Sequence, residues 1–270
     1  MYQKINEACE YIKSIYPGKI DMAIVLGSGL GPLADEIEDA IAIDYRDIPH
    51  FPAPTLVGHE GKLIIGKVGG KTVIAMKGRF HYYEGHDMQT ITLPIRVFSR
   101  LGIEKLILTN AAGGIREDYE PGTIVLIRDH ISFFCPSPLR GPNLDEFGPR
   151  FKDMTEVYSR SAGEVARAVA AEKDIYLPDG VYTFFHGPQF ETPAEIQAIK
   201  AMGGTLAGMS TVPEAIVARH CGMSTLGISL VTNKAAGIST QELSHEEVIE
   251  TAAIAERNLV ALVRGIIEKW

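Results

Sequence analysis

The chain has 270 residues, 46% of them apolar, enough for a sizeable α/β core and too apolar for wholesale disorder. Its 26 Lys and Arg against 34 Asp and Glu give a formal net charge of −8, which argues against a general nucleic-acid binder but leaves room for a local anion pocket. Three widely spaced cysteines, Cys9, Cys135 and Cys221, form no CxxC pair and argue against a disulfide framework or zinc ribbon.

In chain order, residues 2–15 read as an amphipathic helix with no signal-peptide core. No apolar run approaches the roughly 18 residues of a membrane span, so a cytoplasmic protein is expected. DMAIVLGSG (21–29) predicts a buried strand entering a glycine loop. KLIIGKVGGKTVIAMKG (62–78) predicts a hairpin. Residues 87–101 predict one helix stopped by Gly102. KLILTN (105–110) is a further strand, with AAGG as a loop behind it. TIVLI (123–127), VYTFF (181–185), TLAG (205–208) and TLGISLVTN (225–233) predict strands, and residues 156–171 a helix. Thr192 to Glu195, Thr211 to Glu214 and Ser244 to Glu247 each match the capping box S/T-x-x-E and start helices. The alternation implies one α/β domain over residues 1–270, a central mixed β-sheet flanked by helices. Ligands gather at the carboxyl ends of strands in such sheets.

Two glycine motifs mislead. GSGLGPL (27–33) has Pro32 where a dinucleotide fingerprint needs its third glycine, although a glycine loop after a strand still suits an anion. GKVGGKT (66–72) is one residue short of a P-loop and reads as the hairpin turn. No metal motif is present: His81 and His86 lack helical ligand spacing, and HEEVI (245–249) lacks the second histidine of HExxH.

The densest cluster is GRFHYYEG (78–85), where extended backbone would put Arg79, His81 and Tyr83 on one face. Arginine binds phosphate oxygens in a fork, and histidine adds a donor. NAAGG (110–114) and GMSTVPE (208–214) offer further donor nests, the latter with Ser210 and Thr211 at a helix N-terminus. Three anion-binding loops and one arginine suggest a single phosphate site.

GSGLG, VGHEG, GRFHYYEG, TNAAGG, HGPQFET, GMSTVPE, SLVTNKAAG and SHEEV occur in that order. Together they resemble the trimeric purine nucleoside phosphorylases of the inosine/guanosine-cleaving type, from about residue 20 to the C-terminus. The resemblance implies a phosphorylase-type fold, a cytoplasmic homotrimer and reversible phosphorolysis of purine (2′-deoxy)ribonucleosides. It implies no cofactor or metal, with inorganic phosphate as co-substrate and no nucleic-acid or membrane partner. Carried over by motif, Ser28, Arg79, His81, Ala111 (through its backbone N–H) and Ser210 are expected to bind phosphate, with His59 at its entrance. Tyr83 and Met209 are expected to touch the sugar, and His245 to hold its 5′-hydroxyl. Phe190 would pack on the purine, Glu191 accept from N1–H, and Asn233 bridge O6 and N7. His81, Glu191, Asn233 and His245 are the expected catalytic set, and Phe151 would reach a neighbouring subunit's sugar site. Alternatives are a 5′-methylthioadenosine phosphorylase, which would differ at Asn233, and a purine-nucleoside-binding protein without turnover. A nicotinamide dehydrogenase rests on GSGLG alone.

Overall fold

The computed structural model describes residues 1–27, 31–53, 60–238 and 245–270, with side chains from residue 255 in the last segment. Helix α1 (Tyr2–Ile15) leads to β1 (Met22–Leu26), α2 (Gly31–Asp35) and β2 (Glu38–Asp44). The hairpin β3 (Lys62–Val68) and β4 (Lys71–Lys77) follows, its seven residue pairs in continuous register around the Gly69-Gly70 turn. Next come α3 (Met88–Ile91), α4 (Leu93–Arg100), β5 (Lys105–Gly114), β6 (Ile124–Ile131), α5 (Arg160–Glu172) and β7 (Asp179–Phe184). The chain ends with α6 (Pro193–Ala201), β8 (Leu206–Gly208), α7 (Val212–His220), β9 (Ser224–Lys234) and α8 (His245–Lys269).

The nine strands form one mixed sheet in the order β2-β3-β4-β1-β5-β8-β7-β6-β9, and β9 also pairs with β5. The last five strands therefore close into a small barrel, with β2, β3, β4 and β1 as an open wing. Strand β1 shows why helices are needed on both sides. All five of its residues are buried: Ala23 and Val25 pack with α1, α4 and α7, while Met22, Ile24 and Leu26 pack with α2, α5 and α8. A strand of unbroken apolar residues is stable only when covered on both faces. No helix among the described residues is long and apolar enough to cross a membrane.

Four expectations change. AAGG is not a loop: β5 runs on to Gly114, because Ala111 and Ala112 pair with β9 and Gly113 and Gly114 with both β8 and β9, past a register shift after Ala112. Residues 87–101 form two helices, since Pro94 has no N–H to continue the first and starts the second near Thr92. The helix expected over 156–171 starts at Arg160, where the Ser159 hydroxyl accepts from the Ala162 N–H. Residues 79–83 are not all extended, because Tyr82–Glu84 is a 3-10 turn capped by His81 and Glu84. The capping boxes at Thr192 and Thr211 are present, whereas Ser244 lies outside the described residues.

Candidate active site

Where β1, β4, β5, β8 and β9 run out, a cavity of about 300 Å³ opens, lined among others by Gly27, Arg79, Asn110, Ser210, Glu191 and Asn233. The end of β1 approaches β5 so closely that a Cβ on Gly27 would stand 2.5 Å from the Thr109 carbonyl oxygen. Only glycine permits that approach, which the Gly27 N–H secures by donating to Thr109 Oγ1 at 2.9 Å.

Arg79, just beyond β4, is the buried charge of the site. Its Nε donates to Glu214 Oε1 at 3.0 Å, and its Nη1 donates to the Thr109 carbonyl at 2.9 Å and to Ser210 Oγ at 3.2 Å. The other Glu214 oxygen accepts from the Thr211 N–H at 2.8 Å. One buried carboxylate thus caps α7 and aligns the guanidinium. Burying Arg79 without such a partner would cost several kcal/mol, on the order of 3–5.

The turn into α7 is strained. Thr211 sits at φ 70°, ψ −49°, and the Val212 N–H reaches back to the Ser210 carbonyl at 2.6 Å. This is a γ-turn at a β-branched residue, a conformation costing on the order of 1–3 kcal/mol and persisting only where its surroundings impose it. Here they do: the Thr211 hydroxyl accepts from Asn110 Nδ2 at 2.9 Å and lies 3.1 Å from Ser210 Oγ. The Ser210 N–H donates to the Tyr182 hydroxyl at 3.3 Å. The result is a serine hydroxyl and an arginine side by side at the N-terminus of a nine-residue helix.

His81 and Tyr83 form the adjoining wall. Their rings stack at 4.7 Å, and the Glu84 carboxylate accepts from the His81 backbone N–H at 2.7 Å and lies 3.3 Å from its Nδ1. Burial, helped by the nearby Glu84 charge, pushes the Tyr83 phenol up to about 12, so it remains a hydrogen-bond donor at neutral pH.

The opposite end is built after β7. Gly187 turns the chain at φ 63°, and a Cβ there would meet Met209 Sδ at 2.4 Å and Tyr83 Cδ1 at 3.0 Å. The turn brings Pro188, Phe190 and Glu191 to the cavity just before the capping box of α6. Phe190 is 45% exposed. The Glu191 Oε1 atom is buried without a hydrogen-bond partner among the described residues, and burial raises its carboxyl above the usual 4.5. Asn233, near the end of β9, is buried; its Oδ1 accepts from the Thr232 hydroxyl at 3.0 Å and its Nδ2 donates to the Lys234 carbonyl at 3.1 Å.

Nine of the residues singled out from sequence meet in this cavity: Arg79, His81, Tyr83, Ala111, Phe190, Glu191, Met209, Ser210 and Asn233. Ser28 and His59 lie outside the described residues, as does the side chain of His245, the first residue of α8. Phe151 does not line the cavity; it stands 91% exposed on the surface. The sequence reading missed Glu214 and Asn110. Glu214 was spent on the capping box, yet a buried arginine needs a carboxylate, and that need was the signal.

The sequence pattern of the phosphorylase superfamily matches residues 21–268. Purine nucleoside phosphorylase 1 of Geobacillus stearothermophilus is 49% identical over 263 residues, 97% of this chain and 96% of its own. Its Bacillus subtilis counterpart is 46% identical over the full length of both. The chain belongs to the purine nucleoside phosphorylases. A Schistosoma purine nucleoside phosphorylase solved with hypoxanthine superimposes with a TM-score of 0.94 at 38% identity, covering 99% of this chain and 97% of that one. Purine nucleoside phosphorylases are pentosyltransferases, so the chain is an enzyme, and the mixed sheet read from its strands is the fold of that family.

Proposed function

We propose that this cavity carries out reversible phosphorolysis of 6-oxopurine nucleosides, inosine and guanosine, to the free base and (2-deoxy)ribose 1-phosphate. A phosphate oxygen bonds to C1′ as the C1′–N9 bond breaks, and the purine leaves with a proton at N7. The observation that carries the reading is Glu191. A carboxylate oxygen buried without a partner among the described residues, in the same cavity as a buried asparagine, asks for a ligand that brings its own N–H. The N1–H of a 6-oxopurine is such a donor, and adenine lacks it.

In this reading Arg79, Ser210, His81 and the Ala111 N–H hold phosphate, with Ser28 and His59 completing the site. Arginine and the α7 N-terminus supply positive potential for the anion. Tyr83 and Met209 bear on the sugar, and His245 on its 5′-hydroxyl. Phe190 covers the purine. Asn233 meets O6 and N7, where negative charge gathers as the base departs. Phe151, exposed on the single chain, reaches a neighbouring subunit's sugar site in this reading, which takes the working enzyme to be a homotrimer in the cytoplasm. The reaction calls for no metal or cofactor. A Schistosoma mansoni relative solved with inosine, at 38% identity, supports the nucleoside class.

The test is the product balance from inosine. Hypoxanthine and ribose 1-phosphate should appear in equal amounts and only when phosphate is supplied. Free ribose released without phosphate would make the enzyme a hydrolase and overturn the anion site.

A further inference from the structure

A second cavity, of about 340 Å³, lies away from the catalytic one, between the start of α1, α4, the end of α7 and residues 138–144. Its lining includes Arg96, Arg140, His220, Asn143 and Tyr2, and no aspartate or glutamate.

Arg96 is the anomaly. It is 4% exposed, and among the described residues its buried Nη1 has no hydrogen-bond partner and its guanidinium no ion pair. The Phe147 ring, 5.8 Å from the guanidinium carbon, offers only a cation–π contact. His220 beside it is 2% exposed and faces the backbone of Gly148 and Pro149. Burial, then the Arg96 charge, lowers the pKa of its imidazole, against the opposing pull of the Pro149 and Gly148 backbone. The Cys221 thiol near Arg96 offers no counter-charge at pH 7, because burial pushes it up to about 11. Lys152 adds a further positive charge nearby. The contrast with Arg79 is direct, since that buried guanidinium is matched by Glu214. Guanidinium stays charged at any physiological pH, and a buried charge without a counter-charge is strongly unfavourable.

We infer that this cavity is a second, non-catalytic oxyanion site, which takes inorganic phosphate or an equivalent tetrahedral anion. Arg96 supplies the buried guanidinium, His220 forms part of the wall beside it, and the exposed Arg140 supplies a second guanidinium at the mouth. The site is separate from the catalytic phosphate site, so the two can be counted independently.

The experiment is a calorimetric titration of the full-length enzyme with inorganic phosphate, paired with a selenate soak of its crystals. The expected result is two phosphates per chain and an anomalous selenium peak between Arg96 and His220, besides one at Arg79. Arg140→Ala, at an exposed position that folding should tolerate, should weaken the second equivalent roughly tenfold and leave the first alone. Arg96→Met should abolish it. Arg79→Ala should do the reverse, removing the first equivalent and sparing the second. One equivalent in solution, or a second equivalent that Arg140→Ala leaves unchanged, would overturn the inference, whatever the crystal shows. So would selenate at Arg79 with only water beside Arg96. A second equivalent lost with Arg96→Met, while Arg79→Ala removes none, would instead count against the catalytic assignment.

Discussion

At one end of the catalytic cavity Arg79, Glu214, Ser210 and Thr211 are tied to one another by hydrogen bonds of 2.8 to 3.2 Å. At the other end Glu191 keeps a buried oxygen without a hydrogen-bond partner among the described residues, and Asn233 bonds to its chain neighbours Thr232 and Lys234. Phe190 stands half in solvent. Among the described residues the Arg79 end is tied together by the protein's own groups, whereas on the proposed reading the Glu191 end takes its missing partner from the ligand. The difference follows from charge. At Arg79 a bare buried guanidinium would be costly and Glu214 offsets it, whereas one unsatisfied carboxylate oxygen costs less, on the order of 1–3 kcal/mol. On the proposed reading, that residual cost is the source of selectivity at the Glu191 end, because only a ligand with the right donor removes it.

The largest effect should come from breaking the internally matched end. Glu214→Ala strips Arg79 of its buried partner and α7 of its cap, and should lower unfolding free energy by about 3–5 kcal/mol. Denaturant titration checks this, and a loss under about 1 kcal/mol would mean that Arg79 does not depend on Glu214. At the base end, Glu191→Ala should reduce kcat/KM for inosine by about 100-fold while the KM for phosphate holds. A loss below about tenfold, or an equal change in the phosphate KM, would merge the two ends. Asn233→Asp should move the preference between adenosine and inosine toward adenosine by roughly tenfold, since a carboxylate favours a 6-amino donor over O6. Unchanged relative rates would remove Asn233 from base recognition.

The smallest effect sharpens the claim that Glu191 waits unsatisfied. Its carboxyl lies above the usual 4.5 because burial disfavours the charged form. The folded protein therefore holds that proton more tightly than the unfolded chain does, and stability is lost as pH rises through the raised value. Glu191→Gln escapes this loss. Its melting temperature without ligand should exceed the parent's at pH 7, and the gap should shrink as pH falls toward 4. A gap that widens on acidification would contradict the buried-carboxylate account.

Most of the strands were legible because unbroken apolar runs such as MAIVL in β1 mean coverage on both faces. The hairpin turn and two capping boxes carry short-range chemistry that sequence states directly. Strand β2 was missed because five of its seven residues are exposed at the sheet edge, leaving no buried pattern to read. The AAGG strand was missed because glycine and alanine look like loop, and only pairing with β8 and β9 makes them strand. In the site, residues with distinctive chemistry were found and their supports were not. Glu214 lies 135 positions from Arg79, and Asn110 lies 101 from Thr211. Such pairings exist only once the sheet has brought its carboxyl ends together.

The most direct measurement is the ratio of kcat/KM for inosine to that for adenosine, with phosphate saturating. If an unsatisfied carboxylate selects the N1–H of the base, inosine should be preferred by roughly 100-fold or more. A ratio near one would leave phosphorolysis standing and contradict the account of how the base end chooses its ligand.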